Sequence, residues 1–136
     1  MNQTLYQKEL LIPSTIEGLN ECLNIVDDIK QRFNLDFDTS FGLNTIIVES
    51  VENAFIHGNK GIRDLTVRVL ISISSSEILV EVEDMGKGFD INSIESPIDI
   101  ANLNNEGGRG IFFMKVLSTS CYTVGRGNLI RIKLKR

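Results

Sequence analysis

The spacing of apolar residues changes from a helical to an alternating pattern near residue 60. Before that point, apolar residues recur every three or four positions from Ile16 to Phe33, and a second helix is predicted over about 39–57. After it, apolar residues alternate with polar or smaller ones over 67–73 and 78–82, which predicts a β-hairpin. This order favours helices packed on one face of a sheet.

The N-terminal half also contains signals for where these elements begin and end. Residues 4–12 form a short apolar-rich segment before Pro13, which predicts a first strand. Ser14 and Glu17 have the spacing of a capping box for a first helix over about 15–33. Asp38 or Thr39 is the expected cap of the second helix, and Gly58 is its expected terminator.

The C-terminal half completes the expected fold. Residues 85–109 are rich in glycine, asparagine and aspartate, which predicts a long loop with at most one helical turn, and such loops are usually functional. A third helix is predicted from about Gly108, followed by strands over 119–125 and 129–135. We therefore expect one domain over 1–136, an α+β two-layer sandwich in which three helices cover one face of a mostly antiparallel sheet.

Composition and charge exclude several classes of function. The net charge of −4 argues against direct binding of nucleic acid, which depends on clustered basic residues. No apolar run approaches the roughly 18 residues of a membrane helix, and the polar N-terminus does not resemble a signal peptide, so we expect a cytoplasmic protein. Cys22 and Cys121 are expected to be reduced core thiols. The basic residues near the C-terminus are expected to form the solvated face of a strand; they are Arg126, Arg131, Lys133, Lys135 and Arg136.

Three polar constellations are candidates for a site. Glu49, Asn53 and His57 are spaced four residues apart on the second helix and suit a hard divalent cation, although a solvated helix face would have the same pattern. Asp84 follows a strand and could accept a hydrogen bond from an exocyclic amine such as that of adenine, while a simple turn is the alternative. Gly86 and Gly88 after Asp84 let the backbone turn and approach a ligand closely. Gly107, Gly108 and Gly110 around Arg109 open the third helix and expose N–H groups that can bind phosphate, although a flexible linker with a cap is equally compatible.

The order and spacing of these motifs resemble the GHKL superfamily of ATPases, whose fold is the Bergerat ATP-binding fold. The segment from Glu49 to Gly58 is similar to the N box of that superfamily. The Asp84–Gly88 and Gly108–Gly110 segments are similar to its first and second glycine boxes. Within the superfamily, the short chain and its opening strand and two helices resemble the anti-sigma-factor/serine-protein kinases of bacterial partner-switching systems. It has no helical hairpin presenting a phospho-accepting histidine, so His57 is expected at the edge of the pocket.

The resemblance implies a role for each candidate residue. Asn53 would bind Mg²⁺, Asp84 would recognise the adenine of ATP, and Glu49 would be the general base. Gly86 and Gly88 would shape the pocket. Gly108 and Gly110, with Arg109 between them, would hold phosphates under a lid formed by residues 91–107. The protein partners would be a STAS-type anti-anti-sigma protein, which is phosphorylated, and a sigma factor or other regulator. The oligomeric state, monomer or homodimer, stays open.

Two departures from the family pattern leave alternatives open. Glu106 precedes the second glycine box, where such kinases often have a basic residue, and Asn128 follows Gly127, where many have a threonine near the adenine. The first departure concerns how the γ-phosphate is bound, and the second implies an altered contact near the adenine. The alternative function is a nucleotide-gated protein-binding switch without phosphoryl transfer. A domain that no longer binds nucleotide is the third alternative.

Overall fold

An antiparallel sheet forms one layer of the molecule. A computed structural model of the chain describes residues 3–88 and 107–136, without the side chains of residues 107–109. In these residues the sheet has five strands in the order β1-β2-β3-β5-β4, every neighbouring pair antiparallel. The strands are β1 (Thr4–Pro13), β2 (Thr66–Ser74), β3 (Glu77–Glu83), β4 (Ser120–Val124) and β5 (Leu129–Lys135).

Helices pack against one face of this sheet. They are α1 (Ile16–Arg32), α2 (Phe37–Asn53) and α3 (Gly107–Leu117), and a π-helical turn (Ala54–Gly58) continues directly from α2. The core lies between the two layers and is made of aliphatic side chains, each of which contributes about 1.5–3 kcal/mol when fully buried. Its central members include Ile29, Leu43, Ile46, Ile47, Val69, Ile71, Ile78, Val80, Met114 and Ile132. The predicted α+β two-layer sandwich is confirmed.

The alternation of apolar and charged residues along the strands separates the two faces of the sheet. On the face away from the helices, Glu81 receives hydrogen bonds from Arg131 at 2.7 Å and from Arg68 at 3.1 Å. Burial alone would raise the pKa of Glu81, but the hydrogen bonds from Arg131 and Arg68 hold it below its ordinary value. The predicted outer face of the last strand is therefore confirmed, and Arg131 on that face is paired with a carboxylate.

The predicted N-caps of α1 and α2 were both wrong. The N-cap of α1 is Thr15, whose Oγ1 accepts a hydrogen bond from the Gly18 N–H at 3.2 Å. Ser14, the predicted cap, instead donates its hydroxyl to the Leu65 carbonyl at 2.7 Å. The N-cap of α2 is Asp36, whose Oδ1 accepts from the Thr39 N–H at 2.8 Å, and this bond lowers the pKa of Asp36. Helix α2 consequently begins earlier in the sequence than predicted.

The remaining sequence predictions have different outcomes. Cys22 is buried and Cys121 half-buried, both as free thiols, and burial raises their pKa values to about 12 and about 11. Residues 89–106 lie outside the described part of the chain, and with them lies most of the predicted long loop and its lid over 91–107. The hairpins at β2–β3 and β4–β5 agree with prediction.

Candidate functional site

The end of α2 has a wider helical turn than the sequence predicts. The α-helix ends at Asn53, and the next five residues form the π-helical turn, after which the Asn59 N–H donates to the Ala54 carbonyl at 2.8 Å. π-Helical turns of this kind occur frequently at functional sites. The turn delivers Gly58 to the end of β3, where the chain needs a residue without a side chain.

Gly58 and Asp84 are in direct contact. A Cβ atom added at Gly58 would overlap the Asp84 carboxylate, and one added at Gly86 would overlap the Gly58 carbonyl group. Any larger residue at either position would push Asp84 or the turn after it out of place. The end of the predicted N box and the start of the first predicted glycine box therefore meet.

Asp84 has one carboxylate oxygen bound to the protein and one available to a ligand. Its Oδ1 accepts a hydrogen bond from the Gly86 N–H at 2.7 Å, and its Oδ2 has no hydrogen-bond partner among the described residues. Burial raises the pKa of Asp84, against the lowering effects of the Gly86 hydrogen bond and the nearby positive charge of Arg126. A half-buried acceptor of this kind suits a ligand that offers a hydrogen-bond donor.

The loop after Asp84 also packs on the turn between β4 and β5. Gly88 has a φ of +88°, and a Cβ atom added there would overlap the Arg126 carbonyl group. This conformation and this approach both require glycine. Gly86 and Gly88 therefore have distinct steric roles in one loop, each packing against protein backbone, while their predicted approach to a ligand stays a prediction.

At the other end of the candidate site, Glu49 lies against the first turn of α3. A Cβ atom added at Gly110 would lie 2.8 Å from the Glu49 Oε2, so the helix backbone passes directly over the carboxylate. Burial raises the pKa of Glu49, and the negative charge of Glu52 raises it further. The N-terminal turn of a helix exposes N–H groups that bind phosphate, which places a carboxylate next to a potential phosphate site.

The other predicted site residues are placed as follows. Asn53 is the last residue of α2 and is 7% exposed, which excludes the solvated-face interpretation for this position. His57 is half-buried, and its buried Nε2 has no hydrogen-bond partner within residues 3–88 and 107–136. Gly108 and Arg109 belong to the first turn of α3, and the side chain of Arg109 lies outside the described part of the structure.

These contacts form a line along α2 and the π-helical turn. Glu49 with Gly110 lies at one end and Gly58 with Asp84 at the other, separated by roughly 13 Å at 1.5 Å per helical residue. Asn53 lies between them. The Asp84 carboxylate, which can accept a hydrogen bond, and the helix N-terminus, which can bind an anion, are at opposite ends of this line.

The sequence did not reveal two residues that hold Asp84 in place. Asn59 is fully buried, and its Oδ1 accepts a hydrogen bond from the Met85 N–H at 2.8 Å. Asn128 donates from its Nδ2 to the Asp84 carbonyl at 2.8 Å. Asparagine is common in loops for purely local reasons, so a single sequence contains no signal that the Asn59 side chain reaches the turn after Asp84. The departure from threonine at Asn128 was the one available indication.

The fold and the site together are typical of a nucleotide-binding class of protein. The fold is an α+β sandwich, and the site has a half-buried carboxylate, close-packed glycines and a helix that begins with glycines along one line. A family model described as a histidine kinase-like ATPase domain matches residues 12–134. The chain belongs to this family, and membership implies that it binds ATP. A search of curated proteins found no match. The GHKL resemblance is thus confirmed, whereas the anti-sigma-factor assignment stays a prediction.

Two further observations concern metals and membranes. Within the described ranges, no group of three histidine, cysteine or acidic side chains is placed to hold a metal ion. This is compatible with Mg²⁺, which takes few protein ligands and fills its shell with phosphate and water oxygens, and the amide oxygen of Asn53 is a suitable donor. The helices of the described segments are all too short or too polar to cross a membrane.

Proposed function

We propose that this protein is an ATP-dependent serine/threonine protein kinase that also captures a regulator of transcription. The observation that carries this proposal is the half-buried Glu49 carboxylate directly beneath the first turn of α3. A carboxylate next to a phosphate-binding helix start is placed to take the proton from a hydroxyl group that attacks a phosphate. Its raised pKa makes it a stronger base than an exposed glutamate.

The proposed reaction transfers the γ-phosphoryl group of ATP to a serine of a protein partner. Asp84 accepts a hydrogen bond from the exocyclic amine of adenine through its Oδ2, and the helix start at Gly108–Gly110 holds the phosphates. Asn53 provides an oxygen ligand for Mg²⁺, which neutralises phosphate charge when bound. Glu49 accepts the proton of the serine hydroxyl as the serine oxygen forms its bond to the γ-phosphorus. The bond from that phosphorus to the β–γ bridging oxygen breaks, and ADP leaves with the electron pair.

We propose a STAS-type anti-anti-sigma protein as the phosphorylated partner and a sigma factor or similar regulator as the captured one. The support is the resemblance of the chain in element order to the partner-switching kinases. In such a scheme the unphosphorylated partner competes with the regulator for this protein, and phosphorylation releases the partner. The cytoplasm is the compartment in which both partners would be found.

The test compares two residues one helical turn apart that serve different steps. Glu49→Gln keeps size and polarity, so Mg·ATP affinity stays near wild type while phosphoryl transfer to the protein partner falls roughly 10²–10⁴-fold. Asn53→Ala loses a metal ligand, so Mg·ATP affinity itself falls. Glu17→Gln, the same change on the exposed face of α1, is the matched control. Transfer at the wild-type rate by Glu49→Gln would remove the general-base assignment.

A second candidate is a nucleotide-gated binding module that transfers no phosphate. The specific observation in its favour is Glu106, which places a negative charge immediately before the phosphate-binding glycines. In this case wild-type protein would bind the partner in a nucleotide-dependent manner without forming phosphoprotein. The same assay, with labelled ATP and Mg²⁺, separates the two candidates.

A further inference from the structure

The peptide group that joins Asp84 to Met85 is held from two sides by asparagine side chains. Its carbonyl oxygen accepts a hydrogen bond from the Asn128 Nδ2, and its N–H donates to the Asn59 Oδ1, each at 2.8 Å. Both polar groups of one peptide unit are therefore bound by side chains distant in sequence. Because this peptide plane follows the Asp84 Cα atom, the two bonds restrict how the Asp84 side chain can point.

Asn59 is anchored to two other parts of the fold. Its Nδ2 donates to the Ser14 Oγ at 3.0 Å and to the Thr66 carbonyl at 3.1 Å, while its Oδ1 binds Met85. The side chain is 0% exposed and links the end of β1, the start of β2 and the loop after β3. Asparagine supplies one acceptor oxygen and two N–H donors, and no other side chain this short supplies two donors together with an acceptor.

Asn128 is anchored on the opposite side of Asp84. Besides its side-chain bond, its own carbonyl accepts a hydrogen bond from the Asp84 N–H at 2.9 Å. Asn128 lies at the end of the β4–β5 turn, which is closed by the Gly127 N–H donating to the Val124 carbonyl at 3.0 Å. The backbone on both sides of the Asp84 Cα atom is thus tied to a tight turn.

We infer that Asn59 and Asn128 are positioning residues that orient Asp84 toward the exocyclic amine of a bound adenine. The inference rests on the proposed role of Asp84 in ATP recognition and adds what sets its selectivity. Neither side chain has to touch the nucleotide, since each acts through the Asp84–Met85 peptide. A hydrogen-bond acceptor that is already held in place loses little conformational entropy when the ligand binds, so this cost to the binding free energy is avoided.

The experiment measures affinity for ATP and for purine riboside triphosphate, which lacks the exocyclic amine. In Asn128→Ala the preference for ATP over this analogue should fall about tenfold, since a displaced Asp84 loses its bond to the amine, while affinity for the analogue changes little. Asn59→Ala should act in the same direction. The double variant should lose no more of the preference than the larger single variant, because both residues act on one peptide.

Ser14→Ala is the control for a purely structural role. It removes one partner of the Asn59 Nδ2 but leaves the bond to Met85, so melting temperature falls while the preference for ATP stays at the wild-type value. If Asn59→Ala fails to fold, the half-buried Asn128→Ala decides. An unchanged preference for ATP in Asn128→Ala, whether or not both affinities fall, would overturn this inference and leave the proposed function intact. Wild-type protein that binds neither nucleotide would overturn the proposed function itself.

Discussion

At the scale of single residues, the two oxygens of Asp84 have separate tasks. Oδ1 is occupied by the Gly86 N–H, and Oδ2 makes no hydrogen bond to the residues that the structure describes. An asparagine at this position has an acceptor oxygen on one side only, and its NH₂ group on the other side would face either the Gly86 N–H or a bound amine, which are donors themselves. The carboxylate is therefore required chemically, and an amide of identical shape is not equivalent to it.

Asp84→Asn should weaken ATP binding about 10- to 100-fold, the range expected when a buried donor loses its acceptor. The measurement is titration calorimetry with Mg·ATP. Asp64→Asn, the same change on an exposed loop, should bind as the wild type does. Wild-type affinity in Asp84→Asn would remove this residue from the nucleotide site.

Glu52 offers a way to test the base through its pKa. The negative charge of Glu52 raises the pKa of Glu49, so neutralising it in Glu52→Gln should lower that pKa. A general base must be ionised, and activity is lost as pH falls through its pKa; the acid limb of the rate profile should therefore move to lower pH in the variant. The shift should shrink at high salt, because Glu52 is exposed. In the control Glu17→Gln the acid limb should stay in place. An acid limb that also stays in place in Glu52→Gln would contradict the assignment of Glu49 as the general base.

Most of the candidate residues were predictable individually, but their contacts were not. Glu49, Asn53 and Asp84 stand in recognisable motifs, and the structure places them along one line. Asn59 was missed because burial of a loop asparagine depends on segments far away in sequence, which periodicity does not report.

At the scale of secondary-structure elements, the closeness of α2 and α3 depends on Gly110. The backbone of α3 passes over the Glu49 carboxylate at Gly110, where a side chain would meet it. Glycine lowers helix stability by up to about 1 kcal/mol relative to alanine, so its presence here costs stability and is explained by the approach. The two elements thereby bring the Glu49 carboxylate and the start of α3 together.

Gly110→Ala should preserve the fold and reduce catalysis. The added methyl group would lie 2.8 Å from the Glu49 Oε2, so the carboxylate has to move aside. Displacement of a catalytic group by about 1 Å can reduce the rate about 10²-fold. Phosphoryl transfer should fall by that order while the melting temperature is unchanged or higher. Val116→Ala, on the exposed side of the same helix, is the control. Wild-type transfer by Gly110→Ala would show that this contact does not position the base.

Element types and order followed from the sequence, whereas element ends did not. The strands and helices were predicted because their apolar periodicity reflects burial against one common core. Ser14 was predicted as a cap from local spacing, yet its hydroxyl binds the Leu65 carbonyl, 51 positions along the chain. The π-helical turn after Asn53 was also missed, since a widened turn leaves the apolar spacing of a short segment almost unchanged.

At the scale of the whole molecule, the candidate site uses both layers of the sandwich. Glu49 and Asn53 belong to the helix layer, Asp84 follows a strand, and Asn59 ties the end of β1 and the start of β2 to the turn after Asp84. No such arrangement exists in the unfolded chain, because these residues are far apart in sequence. A ligand that binds at this line therefore stabilises the packing of helices on sheet, not one element alone.

Mg·ATP should consequently raise the melting temperature of the whole chain. At a free concentration of 100 times its Kd, a ligand specific for the folded state adds about 2.7 kcal/mol to the free energy of unfolding. For a domain of this size that corresponds to a shift of roughly 10 °C. Chelation of Mg²⁺ should remove part of the shift in wild-type protein and none of it in Asn53→Ala, since that variant has already lost its proposed metal ligand. A magnesium effect in Asn53→Ala equal to that of the wild type would place the metal elsewhere. A melting temperature that ATP does not change would mean that this member of the family no longer binds ATP.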